Sequence, residues 1–178
     1  MTKANPVLEA MKLRRSIRKF RAEIPSEELI QKIMEAGSYA ASGRGRQSAV
    51  IVEVKNAAVR KKLAEVNRMI GGWDAGFDPF YGAPVYLIVL AEKEWPTHVY
   101  DGSLVMGNLM LAAHAVGLGS CWIHRAKETF ELPEWREYLK QRGLTGEYEG
   151  IGFCALGYCE GDYPLVIPRK ENRIFQES

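Results

Sequence analysis

The chain has 178 residues, 47% apolar and 26% charged, the proportions of an ordinary soluble globular domain with length enough for one core. Its apolar runs, such as Pro84–Ala91, stop near eight residues, far short of the roughly 20 that span a bilayer. With no apolar leader after Met1 either, the expected location is the cytoplasm and no membrane partner is expected. The net charge of +2 hides an asymmetry: Lys3, Lys12, Arg14, Arg15, Arg18, Lys19 and Arg21 face only Glu9 in residues 1–21, and the remainder is net acidic. Such a local basic cluster fits one anionic ligand and argues against a nucleic-acid surface.

In chain order, Asn5-Pro6 predicts a helix start, with Asn capping and Pro at the first helical position. The segment Arg15–Phe20 reads as extended. Ser26 caps a second helix whose first turn carries Glu27 and Glu28 and whose apolar stripe is Leu29, Ile30, Ile33, Met34 and Gly37. Residues 41–48 form a Gly- and Arg-rich loop, 49–54 a strand and 57–70 an amphipathic helix. Gly71–Gly82, rich in Gly, Asp and aromatics, reads as a loop suited to a mobile lid over a site. Pro84–Leu90, apolar on both faces, reads as a central strand. A helix from about Tyr100 to Val116 closes at Gly117. Strands follow at 120–123 and 151–158, with a short helix near 134–142 between them and a polar tail from about 161. Helices covering few strands predict an α+β fold in a single domain.

Three segments carry chemistry. Arg14-Arg15-Ser16-Ile17-Arg18 places three guanidiniums and a hydroxyl within five residues, and Arg matches phosphate geometry through paired charged hydrogen bonds. In an extended stretch Arg14, Ser16 and Arg18 share one side and Ile17 faces the core. A solvated basic face is the alternative on composition alone. Ala41–Gln47 offers small residues that let backbone amides approach a planar ligand, with Gln47 able to read polar edges; an ordinary turn is the alternative. Its Gly43-x-Gly45 lacks a third glycine and precedes a strand, which excludes a dinucleotide fingerprint. Residues 117–125, Gly-Leu-Gly-Ser-Cys-Trp-Ile-His-Arg, end a core strand on two polar side chains. Cys121, Cys154 and Cys159, odd in number and without a neighbouring histidine, are expected as buried free thiols, with no metal site.

In this order, and with the C-terminal Pro168-Arg169-Lys170, these segments resemble the nitroreductase family over nearly the whole chain. The resemblance implies a three-layer α+β fold with a central mixed or antiparallel sheet, and a homodimer binding FMN between subunits. The tail from about 161 would pack on the partner chain. Carried over by position, Arg14 and Ser16 would meet the phosphate, with Arg15 beside it or at the ribityl chain, and Arg18 would lie near the pyrimidine edge. Ser42, Gly43, Arg44 and Gln47 would approach from the partner, and Ile123 and His124 would line the ring near N5. Arg169 would close on the phosphate, with Lys170 and Arg173 as weaker candidates. The implied activity is two-electron transfer from NAD(P)H through the flavin to an electron-poor small molecule such as a nitroaromatic or quinone. No catalytic side chain is required. Two other readings stay open: a flavin binder without turnover, and a reductive dehalogenase-like activity. The family's usual loop Asn is absent, leaving Arg44 or Arg46 as its replacement or as a contact for an acidic substrate.

Overall fold

The computed structural model describes residues 5–177; Lys3 of the basic cluster lies outside them. Helix α1, Pro6–Leu13, starts where Asn5 Oδ1 accepts from the Val7 and Leu8 amides at 3.0 and 3.2 Å. Ser26 Oγ caps α2, Glu27–Ser38, and Asn56 Oδ1 caps α3, Ala57–Gly71, in the same manner. Gly72 ends α3 at φ +67°, a left-handed turn that glycine adopts without a Cβ penalty. Strand β1 (Ala49–Val54) precedes α3, and β2 (Val85–Glu92) follows it. Helix α4 (His98–Ala115) leads into β3 (Gly119–Ile123), then α5 (Ala126–Glu131), α6 (Pro133–Lys140) and β4 (Tyr148–Gly157).

The strands form one sheet in the order β1-β2-β4-β3, antiparallel at every strand pairing. Of the two alternatives expected, antiparallel is the one found; the one parallel contact among the described residues is an isolated bridge between Ser16 and Ser120. As its apolar run predicted, β2 is central, and Val85 and Leu87–Ala91 have no exposed surface. Alternate side chains of the sheet feed two cores. One, around Ile88, Phe153 and Ala155, is covered by Leu63 and Val66 of α3, Phe130 of α5 and Trp135 of α6. The other, around Leu87, Val89 and Leu156, is covered by Ile30 and Ile33 of α2 and Met106 and Leu109 of α4. Three layers result, as expected.

Two sequence expectations change. Helix α5, read as a connection, has only six residues, too few to show a period. It begins against Gly150, where an added Cβ would run into the Ala126 backbone. Cys121 and Cys154 are buried free thiols, but Cys159 lies past the end of β4 and is half-exposed. No helix among the described residues is long and apolar enough to cross a membrane.

Candidate functional site

The Arg14–Arg18 segment leaves α1 in extended conformation and lies along β3, the Ile17 amide donating to the Ser120 carbonyl at 2.9 Å. Ile17 is buried against Gly119, where a Cβ would stand 2.7 Å from the Ile17 side chain. That contact turns Arg14, Ser16 and Arg18 to one side, as alternation predicts. All three act on Cys121: burial pushes its thiol pKa up, while Arg18, Ser16 and Arg14 pull it down. Arg14 Nη1 and Arg15 Nη2 are buried and lack a hydrogen-bond partner. Buried donors are ordinarily satisfied, so each of these two nitrogens has capacity left for an acceptor that the chain itself does not supply.

The remaining Arg15 nitrogens point to main chain: Nη1 donates to the Lys12 and Arg14 carbonyls at 2.8 and 2.6 Å, and Nε to the Leu165 carbonyl at 3.3 Å. The tail therefore passes this corner. Tyr163 Oη accepts from the Arg15 amide at 2.8 Å and meets His114 Nδ1 at 3.1 Å. The His114 pKa is lowered by burial first, then by Arg14 and Arg15. Arg169 Nε and Nη2 donate to the Ile167 carbonyl, and Lys170 beside it is exposed.

The second segment folds as a single 3-10 turn, Gly43–Gly45, between Ser42 and Arg46. Asp101, only 3% exposed, anchors it by accepting from the Gly43 amide (2.9 Å), Ser48 Oγ (2.9 Å) and Thr97 Oγ1 (3.1 Å). Ser42 Oγ accepts from the Gln47 amide at 2.9 Å. Arg44 and Gln47 sit at φ +53° and +52°, a left-handed conformation rare outside glycine and a mark of functional loops. The guanidinium of Arg46 lies 4.3 Å from the Trp95 ring centroid, a cation–π contact that occupies it and leaves exposed Arg44 as the cation better placed for a ligand. Asp101 went unread in the sequence; its position in the first turn of a helix was the one available signal.

The third segment ends β3 beside a cavity of about 640 Å³ lined by Trp122, His124, Arg125, Lys127 and Glu149. His124 is exposed, and its ring stacks near Trp122 with centroids 5.8 Å apart. Ile123, however, is 7% exposed and belongs to the core, so it supports the segment from beneath.

The first and second segments do not meet. Asp101 sits in the first turn of α4 and Ser120 beyond its C-terminus. With 1.5 Å rise per residue, the helix separates them by on the order of 20 Å. The two segments thus lie at opposite ends of one helix.

The family model described as the nitroreductase family matches residues 11–70 and 72–158. The chain belongs to the nitroreductase family. A protein of Methanothermobacter thermautotrophicus, provisionally named NADH dehydrogenase/NAD(P)H nitroreductase, is 33% identical over 146 residues, covering 72% of this chain and 70% of its own. A nitroreductase crystal structure with bound FMN from Bacteroides fragilis superposes with a TM-score of 0.90 at 28% identity, covering 98% of this chain and all of that one. Another, from Desulfitobacterium hafniense, also with bound FMN, gives 0.86 at 25% identity over 98% and 100% of the two chains.

Proposed function

We propose that this nitroreductase is a homodimeric, FMN-dependent oxidoreductase that passes two electrons from NAD(P)H to an electron-poor small molecule. FMN supplies the hydride chemistry, and the protein binds and orients it. The observation that carries the reading is that Arg14 and Arg15, which precede Ser16 in sequence, each keep a buried donor without a partner. A dianionic phosphate is the group that satisfies them. Arg18, on the same side, would set a fixed positive charge by the flavin's pyrimidine edge and favour the reduced, more negative ring. Ile123 would support the ring from below, and His124 would line it.

The dimer follows from α4. Its sequence is apolar all round, which marks a helix to be buried on every side. Within one chain α2 and the sheet cover Val105, Met106 and Leu109, yet Tyr100 (71%) and Leu104 (51%) are exposed. Tyr100, Leu104, Gly107 and Leu111 make a stripe at helical spacing, continued by exposed Val7, Leu8 and Met11 of α1. A twofold axis perpendicular to this stripe would lay two α4 helices antiparallel, the same patch serving both copies. It brings Ser42, Gly43, Arg44 and Gln47 of one protomer to the Arg14–Arg18 end of its partner and completes both sites. The tail from about residue 161, with exposed Leu165, Ile167, Ile174 and Phe175, would cross to the partner and deliver Arg169 and Lys170 to a phosphate.

The test is direct. Purified protein should take up FMN, turn yellow, bleach with NAD(P)H and recover with a quinone or nitroaromatic. Arg18→Ala should slow bleaching more than it lowers the melting temperature. A protein that refuses FMN, or binds it and never bleaches, would overturn the reading.

A further inference from the structure

One buried side chain outside all three segments acts on the ring-lining turn. Asn67 of α3 has no exposed surface, and its Nδ2 donates to the His124 carbonyl at 2.7 Å. Its Oδ1 is buried without a partner, so the amide costs desolvation that helix packing alone does not explain. An apolar residue would fill that place more cheaply unless the His124 carbonyl must be held.

Holding that carbonyl has a geometric consequence. Across a trans peptide the carbonyl and the next N–H point in opposite directions. With its carbonyl end tied toward α3, the His124–Arg125 peptide sends the Arg125 N–H away from α3. Among the described residues, no loop, turn or cap hydrogen bond uses that N–H. Arg125 itself is held at φ +74°, a conformation an arginine adopts only where its surroundings impose it. The restraint is visible: its guanidinium stacks over Trp73, 4.3 Å from the ring centroid. Trp73 is fixed in turn by Arg68, whose Nη1 donates to its carbonyl at 2.6 Å, and by Phe77 at a centroid distance of 4.9 Å.

We infer that Asn67 is a positioning residue that aims the Arg125 N–H at the flavin ring, and that Trp73 locks Arg125 in the conformation this requires. The inference rests on the flavin site proposed above. A fixed N–H dipole directed at the ring favours the reduced, more negative flavin. The aromatic loop after α3 would therefore hold the turn beside the flavin through Trp73, which gives that loop a role other than a free lid.

The test compares wild type, Asn67→Leu and Trp73→Ala. In the flavin-free protein, hydrogen exchange over residues 123–127 should speed up about tenfold in both variants while the core strands keep their protection. Loaded with FMN, Asn67→Leu should bind within about threefold of wild-type affinity, because the phosphate anchor is untouched. Its visible circular dichroism should change, and its midpoint potential should fall by about 30 mV, a tenfold shift in the two-electron equilibrium. An unchanged potential and flavin spectrum in Asn67→Leu would overturn the inference, since a purely structural asparagine alters neither. Should Asn67→Leu fail to fold, Asn67→Asp keeps the volume, replaces the donor by an acceptor and is read the same way. Wild type that takes up no FMN defeats the inference together with the flavin reading, and shows itself before any variant is compared.

Discussion

Replacing Arg14 by Met separates ligand binding from folding, because its Nη1 is buried and unpartnered in the ligand-free chain. Loss of a charge-assisted hydrogen bond costs about 1.5–3 kcal/mol of binding, or a roughly 10- to 150-fold weaker Kd for FMN. The ligand-free protein should melt at or slightly above the wild-type temperature, since an orphaned buried donor has been removed. With FMN at 100 times the wild-type Kd, the ligand stabilises wild type by about 2.7 kcal/mol. A 100-fold weaker variant retains roughly 0.4 kcal/mol under the same conditions. At about 2–4 °C per kcal/mol for a chain of this size, the FMN-induced rise in melting temperature should shrink by about 5–9 °C. Differential scanning fluorimetry with and without FMN, backed by a flavin-fluorescence titration, measures both arms. A variant destabilised equally with and without FMN, at unchanged Kd, would refute the reasoning by making Arg14 a structural residue.

Placing a charge in the exposed α4 stripe, as Leu104→Asp, should convert dimer to monomer by light scattering and abolish FMN uptake; a flavin-loaded monomer would contradict a shared site. Asp101→Ala strands the Gly43 amide, Ser48 Oγ and Thr97 Oγ1, so a loss of about 3 kcal/mol or more is expected in urea unfolding. Asp101→Asn should lose less, and its altered 42–47 loop should weaken FMN binding. His114 has a folded-state pKa below its ordinary 6.5, so the unfolded chain binds more protons on acidification. Its contribution is fully present above pH 6.5 and lost as pH falls through the lower folded value; in His114→Gln the stability between pH 7.5 and 5 should depend less steeply on pH.

Much of the scaffold was legible because its signals are local. Asn5 and Ser26 capped the helices they were expected to cap, and the doubly apolar run before Leu90 became the central strand. The alternation through Arg14, Ser16 and Arg18 placed these three on one side and Ile17 in the core. Helix α5 escaped because its start depends on close approach to Gly150, 24 positions later in the chain. For Ile123, which the resemblance put at the ring, the strand's alternation turns its side chain into the core.

The sequence by itself determined the helix caps and the grouping of Arg14, Ser16 and Arg18, since capping and two-residue periodicity are properties of neighbours along the chain. Only the tertiary structure decided that the Arg14–Arg18 segment and the 42–47 loop stand at opposite ends of α4, that Asp101 anchors that loop and that Asn67 grips the turn at His124. The last two relations join residues 53 to 58 positions apart in the chain. They come from three packed layers, and no periodicity in the sequence encodes them.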